Sequence, residues 1–366
     1  MTVTVGLDVG TTSVKALAVD DDGNVLARAR VRHRVRVPEP DRFEHDVDRA
    51  WRRNVRAAYR EVSDGLEVAA VNVAAFVPSL CAVDRRGRAL TPGLLYGDRR
   101  GGPVNGRSPA ESGELLGFLR WCAREAPEAS GYWPAQAVAN HALCAVGAID
   151  TVVAITTHPL YDGTRWDPAV AAGAGVSVEQ LPQVVPGNEA IGSVDGALVG
   201  PGTVDALAEQ MVAGAEHDGD VLVILGTTLI TWAVVSDWRE VEGLWTVPHT
   251  APGKTLIGGP SNAGGLFLDW VGRLLPRSGP ASHPERIPLW LPYVRGERTP
   301  LHDPSLRASL HQLDVTHGPA EVRRAAFEAS GFVVRHHLEL GQVRARRLVA
   351  TGGGTRVDEW IRALAD

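Results

Sequence analysis

Two corners of one design constrain this chain before anything else does. The stretch GLDVGTTSVKALAVD (residues 6–20) sets Gly10-Thr11-Thr12 between two apolar, β-rich runs. LVILGTTLITWAVV (residues 222–235) repeats the device with Gly226-Thr227-Thr228, 216 positions further on. Each reads as two strands joined by a tight turn. Such a turn turns consecutive backbone N–H groups and two hydroxyls into one concavity, which suits phosphate oxygens. One copy fits a purely structural turn equally well. Two copies, one in each half, weigh towards the phosphate reading, because facing hairpins could clamp a triphosphate between two domains.

The chain has only two lysines, Lys15 and Lys254, and no G-x-x-x-x-G-K-[ST] run, which excludes a P-loop. It also lacks the signature set of a protein kinase. Any ATP must then be held by amides, hydroxyls and a metal. Asp8 stands two residues before Gly10, where the second copy has Ile224. A carboxylate beside a phosphate cradle repels the anion unless Mg²⁺ lies between them; the other reading is a solvated acid at a strand end. In GPGTVDALAEQMVAGA (200–215), Asp205 falls in the first turn of a predicted helix. That position favours the ionised carboxylate by roughly 0.3–1 kcal/mol. It fits a proton acceptor and a plain helix-opening acid alike.

The opening strands, 2–8, 13–20 and about 25–36, form a meander, unlike the strand-turn-helix start of a dinucleotide-binding domain. Helical spacing of Trp51, Val55, Ala58, Tyr59 and Val62 predicts a helix over 46–62. VAAVNVAAF (68–76) is a buried strand, with LCAVD (80–84) expected as its hairpin partner, turning at Arg85-Arg86-Gly87. Residues 111–147 read as helical, and a loop-rich stretch follows to about 200. Helices are expected at 203–216, 262–274 and 319–341. A strand over 347–350 then runs into Gly352-Gly353-Gly354, and RVDEWIRALAD ends the chain as an amphipathic piece.

At 366 residues the chain exceeds one ordinary hydrophobic core, so two domains divided near 217 are expected. A net charge of −6 with scattered arginines argues against a nucleic-acid surface. Three widely spaced cysteines, Cys81, Cys122 and Cys144, give neither a disulfide framework nor metal-ligand spacing. The N-terminus shows no secretory pattern and no apolar run spans a bilayer, so a cytoplasmic protein with no membrane partner is expected.

Taken in order, these residues resemble the FGGY family of carbohydrate kinases, in the actin-like ATPase superfamily, and most nearly its xylulokinase-like branch. GLDVGTTSVKALAVD resembles the first phosphate hairpin and FEHDVDRAW the segment opening the first helix. LLYGDRR is similar to the sugar-site segment, with Asp98 and Arg100 on its charged positions. LYDGTRWD resembles the end of the first domain's insertion. LPYVRGERTPLHDP (291–304), with Gly296-Glu297-Arg298-Thr299-Pro300 intact, is the most specific match, and VATGGGTRVDEW resembles the adenosine-binding segment. The resemblance implies an α/β fold of two actin-like (ribonuclease H-like) domains around a central cleft, each a mixed sheet flanked by helices. Residues 1–216 would bind sugar and 217–366 ATP, and the domains would close on ligand.

By the same resemblance Asp205 is the catalytic base, standing 21 residues before Gly226. Gly10, Thr11, Thr12, Lys15, Gly226, Thr227, Thr228, Gly352, Gly353 and Gly354 would hold ATP. Asp8, Ser79, Asp98 and Arg100 would face the substrate, with Asp8 also organising Mg²⁺. The implied activity is ATP-dependent phosphorylation of a sugar or polyol, a ketose such as xylulose first; the alternative is a catalytically degenerate sugar- or nucleotide-binding paralogue. The chain departs from the family in the bulkier flanks of Asp205 and in Phe76-Val77-Pro78-Ser79, which replaces a Gln-Met-His sugar contact. It also departs in a shortened stretch between Gly106 and Glu111 and in an end soon after Gly354. The last of these leads us to expect weak ATP binding, and either self-association through an uncovered sheet edge and apolar patch, a homodimer included, or a fragment of a longer natural chain.

Overall fold

The computed structural model describes residues 2–40, 42–102, 114–249, 253–276, 279, 281, 286–303 and 305–366. The shortened stretch between Gly106 and Glu111 and the last residue of the 291–304 signature lie outside them. The chain divides into two compact units, Met1–Ala208 and Glu209–Asp366.

In the first unit, alternating burial along β1 (Val3–Val9) and β2 (Ser13–Val19) marks strands with one covered face, and β3 (Val25–Arg32) continues the meander. Helix α1 (Asn54–Ser63) buries Val55, Ala58, Tyr59 and Val62, a single stripe at helical spacing, and packs on these strands. Each valine so enclosed contributes roughly 1.5–3 kcal/mol. A turn of π-helix, Asp48–Arg53, precedes α1 and carries the fully buried Trp51. Strand β4 (Val68–Ala75) lies parallel to β1. The other side of β4 takes β6 (Ala197–Val199) and β7 (Thr203–Val204), both parallel, with β5 (Gly192–Val194) outermost.

Two expectations are corrected here. Residues Ser79–Val83 do not pair with β4; they pair antiparallel with Gly93–Leu95 and Gly131–Trp133 in a separate four-stranded sheet. Partner choice depends on what the sheet packs against, which a local pattern does not contain. The continuous helix over 111–147 is also interrupted. Among described residues, helix Glu114–Glu125 and helix α2 (Ala135–Cys144) flank the short strand Gly131–Trp133. The loop-rich stretch in turn hides the β5–β6 hairpin, closed by Asp195 and Gly196 at φ 49° and 87°.

The second unit repeats the plan. Strands β8 (Asp220–Leu225) and β9 (Leu229–Val235) form the second corner's hairpin. Strand β10 (Trp245–Pro248) pairs antiparallel with β11 (Thr255–Ser261), β11 pairs antiparallel with β9, and β12 (Arg347–Thr351) lies parallel to β8. In both sheets the strand before the corner has a parallel neighbour and the strand after it an antiparallel one. Helices α4 (Gly265–Leu274), α5 (Pro319–Leu340) and α6 (Asp358–Ala365) belong to this unit, while α3 (Asp205–Ala213) carries the division between the units. Helix α5 opens with Pro319 in its first turn and the Gly318 N–H donating to Glu321 Oε2 at 3.0 Å. No helix among the described residues is long and apolar enough to cross a membrane.

Candidate active site

The first corner sets Asp8 and Lys15 on facing strands. Their Cα atoms are register partners, and Lys15 Nζ donates to Asp8 Oδ2 at 2.8 Å. The turn closes by the Gly10 N–H donating to the Ser13 carbonyl at 3.0 Å. Two side chains and one backbone N–H brace it. His33 Nε2 donates to the Gly10 carbonyl at 3.0 Å, His45 Nε2 to the Thr11 carbonyl at 2.8 Å, and the His33 N–H to the Thr12 carbonyl at 2.9 Å. Thr11 Oγ1 lies 3.3 Å from the Tyr96 hydroxyl.

Asp205 belongs to the same unit and opens α3. Gly202, at φ 83°, turns the chain towards it, and a Cβ there would stand 3.1 Å from the Val73 carbonyl oxygen. Side-chain amides, those of Gln136 and Asn140 buried, pin this approach. Asn140 Nδ2 donates to the Pro201 carbonyl at 2.7 Å, Gln136 Nε2 to that of Ala75 at 2.9 Å, and the Gly202 N–H donates to Asn72 Oδ1 at 2.9 Å. The Asp205 carboxyl is half-buried and its pKa is raised. Burial is the main cause and the neighbouring Asp8 charge adds to it, while the Ala206 N–H and Lys15 pull the other way. A base so poised takes a proton more readily than an ordinary aspartate. Asn72, Gln136 and Asn140 were not foreseen; the one signal was two amides four residues apart in an otherwise apolar helix, AQAVANHALC.

Three of the residues expected to face substrate, Ser79, Asp98 and Arg100, have enclosed side chains. Ser79 is fully buried: its hydroxyl donates to the Phe76 carbonyl at 3.3 Å and accepts the Ala135 N–H at 3.0 Å. It holds the start of α2. The side chains of Asp98 and Arg100 are 0% and 5% exposed and closed on each other. Arg100 donates to Asp98 from Nε at 2.8 Å and to Glu44 Oε1 from Nη1 at 2.7 Å, and its guanidinium lies over the Trp121 ring. The Phe43 N–H takes Asp98 Oδ2 at 2.6 Å. These bonds outweigh burial and hold the Asp98 carboxyl below its ordinary pKa. The two side chains thus brace each other within the first unit. The neighbour that does reach outward is Tyr96, 49% exposed and edge-on to Phe76 at 5.9 Å between ring centroids.

In the second unit the corner is tied by a helix end. The N–H groups of Gly265 and Leu266 donate to the carbonyls of Gly226 and Thr227 at 2.9 and 3.1 Å, using donors that the first turn of α4 leaves free. Side chains would block this approach: a Cβ on Gly264 would stand 2.3 Å from the Thr228 carbonyl carbon, and one on Gly265 2.8 Å from the Gly226 oxygen. The Gly264-Gly265 pair was a sequence signal that went unread. The Glu297 carboxylate is buried and accepts from Ser261 Oγ at 2.7 Å and from the N–H groups of Asn262 and Arg298 at 2.9 and 2.6 Å. The Thr299 hydroxyl donates to the Pro260 carbonyl at 2.7 Å. The Gly-Glu-Arg-Thr-Pro run thus clasps the end of β11. At the end of β12, Gly352 (φ 90°) and Gly354 pack where a Cβ would meet Leu225, whereas Gly353 is open.

The repeated sheet plan fits the two-domain actin-like ATPase fold. Comparison with known proteins then narrows the class. Residues 3–110 match the N-terminal domain and residues 221–366 the C-terminal domain of the FGGY family of carbohydrate kinases. The chain belongs to that family and is a carbohydrate kinase. It is 25% identical to a xylulose kinase of Escherichia coli (strain K12), an alignment spanning 99% of this chain and 84% of the relative. It is 22% identical to a gluconokinase of Bacillus subtilis (strain 168), over 99% of this chain and 82% of the relative. The fold is shared with the crystal structure of xylulose kinase from Rhodospirillum rubrum, at a TM-score of 0.86, 24% identity, and coverage of 99% of this chain and 84% of that one.

Proposed function

We propose that this carbohydrate kinase moves the γ-phosphoryl group of ATP onto a hydroxyl of a neutral ketose such as xylulose, with Asp205 as general base. The observation that carries the reading is the half-buried Asp205 carboxyl opening α3 in the unit that also holds Asp8, Lys15 and the first corner. The substrate O–H gives its proton to Asp205 as its oxygen bonds to phosphorus, and the bond from phosphorus to the ADP oxygen breaks. Phosphoryl transfer demands positioning and charge neutralisation more than covalent chemistry. Gly10, Thr11, Thr12 and Lys15 would serve phosphate oxygens, as would Gly226, Thr227 and Thr228, while Gly352, Gly353 and Gly354 would serve the rest of the nucleotide, with Gly353 the open one of the three.

Asp8 is a hard oxygen donor of the kind Mg²⁺ takes one or two of, beside phosphates and waters. Bound there, the ion would neutralise charge on the transferring group. Its fit is supported by Lys15 occupying only Oδ2, which leaves Oδ1 for a metal. A neutral substrate is favoured over a sugar acid because Arg100 is closed by two carboxylates and Lys15 is paired with Asp8. Tyr96 and Phe76 offer an apolar wall for the carbon skeleton instead.

ADP release measured across ketoses, polyols and sugar acids, beside calorimetric binding of the same compounds, tests the reading. Turnover greatest with a ketose supports it. Turnover greatest with a sugar acid overturns the substrate choice, and binding without ADP release favours the degenerate paralogue.

A further inference from the structure

The two corners are braced by unlike means to one end. In the second, the carbonyls of Gly226 and Thr227 are held by backbone N–H groups at a helix end. In the first, the corresponding carbonyls of Gly10 and Thr11 are held by the imidazoles of His33 and His45. We propose that His33 and His45 are positioning residues for nucleotide binding, fixing the peptide planes of the first corner so that the Thr11 and Thr12 amides face a phosphate.

The inference rests on the reading of that corner as a phosphate cradle. The geometry follows from peptide planarity. In a trans peptide the carbonyl of one residue and the N–H of the next point in opposite directions. Tying the Gly10 and Thr11 carbonyls to one side therefore directs the Thr11 and Thr12 N–H groups to the other.

The tautomers are fixed by partners that can play one role only. A backbone carbonyl accepts and never donates, so Nε2 of each ring carries the hydrogen. The Trp51 indole donates and never accepts, and its Nε1 lies 2.9 Å from His45 Nδ1, so that nitrogen is unprotonated. Asn54 Nδ2 stands 3.4 Å from His33 Nδ1 in the same sense. The rings pack edge to face at 4.6 Å, and His45 is 0% exposed. Burial keeps both neutral, pushing His45 down to about 4. An imidazolium would set an N–H against the Trp51 N–H.

Glutamine offers a similar pair of groups, an N–H₂ for the Thr11 carbonyl and a carbonyl for Trp51; leucine offers neither. Calorimetry of ATP and sugar binding on wild type, His45→Leu, His45→Gln and Thr12→Val, with melting curves, is the test. His45→Leu is expected to weaken ATP binding roughly tenfold, the loss of one well-placed hydrogen bond. Sugar affinity should stay within about twofold, and His45→Gln should restore most of the ATP affinity. Weaker ATP binding in Thr12→Val together with unchanged binding in a folded His45→Leu overturns the inference and leaves the phosphate reading intact. Unchanged ATP binding in both variants overturns the inference and removes the Thr12 hydroxyl from the cradle. Should His45→Leu not fold, nitrogen NMR of the wild-type rings decides: hydrogen on Nε2 of both supports the brace, and hydrogen on Nδ1 of either removes it.

Discussion

Lys15 Nζ stands 2.8 Å from Asp8 Oδ2, the two residues facing each other across the strands that carry the first Gly-Thr-Thr corner. The ammonium does two things there. It balances a carboxylate that would otherwise repel phosphate, and it lowers the pKa of Asp205, which Asp8 raises. Lys15→Met should therefore move the acid limb of the kcat/KM profile to higher pH, because the base then holds its proton more tightly. The KM for ATP should also rise, by roughly tenfold for the loss of one charge contact. An acid limb that stays in place in the variant would show that Lys15 does not act on the base.

The Gly264-Gly265 approach makes a separate claim about the second corner. Gly264→Ala places a methyl group 2.3 Å from the Thr228 carbonyl carbon, so backbone must shift. ATP binding should weaken at least tenfold while sugar affinity holds. Calorimetry of both ligands on the variant checks the split; equal losses for both would point to general unfolding.

Glu297 is assigned a clasp rather than a ligand role. Glu297→Ala leaves three donors, the buried Ser261 hydroxyl among them, without this acceptor and should cost about 2–4 kcal/mol of stability, with Glu297→Gln recovering part of it. Thermal melting measures this. A Glu297→Ala protein that melts like wild type yet loses catalysis would place the carboxylate at the reaction instead.

Acid should loosen the second unit through Asp220. Its carboxylate is buried, accepts from Arg346 and Arg347, and has its pKa lowered to about 2 despite the opposing effect of burial. A folded pKa below the unfolded one means stability that is present above about pH 4 and lost as pH falls towards 2. Melting curves of wild type and Asp220→Asn over that range should converge at the acid end. A gap that persists at pH 2 would contradict the assignment.

Much of this arrangement was legible from local pattern. The corners, the helix stripe of Val55, Ala58, Tyr59 and Val62, and the strand running into Gly352 are short-range features that neighbouring residues determine. What was not legible depends on contacts distant in sequence. Ser79–Val83 chose Gly93–Leu95 and Gly131–Trp133 over β4 because the second sheet supplies its packing. Asp98 and Arg100 were noticed as charges, but spacing alone does not say that Glu44 and the Phe43 N–H complete the cluster from within. His33 and His45 reach back to Gly10 and Thr11 across 23 and 34 residues, and nothing near them in the sequence announces it.

The central claim is that Asp205 accepts the substrate proton, and Asp205→Asn addresses it most directly. An amide keeps the shape of the side chain but does not accept that proton, so phosphoryl transfer should fall at least a thousandfold, the scale of general-base catalysis. Sugar and ATP should still bind, within a few-fold of wild type. The variant should also melt slightly higher at neutral pH, because a raised pKa means that the folded state pays to keep this carboxylate ionised. Single-turnover formation of sugar phosphate by Asp205→Asn, at saturating ketose and ATP, is the deciding measurement. The account predicts a loss of at least three orders of magnitude with both ligands bound; turnover near the wild-type rate would contradict it and return Asp205 to an ordinary helix-opening acid.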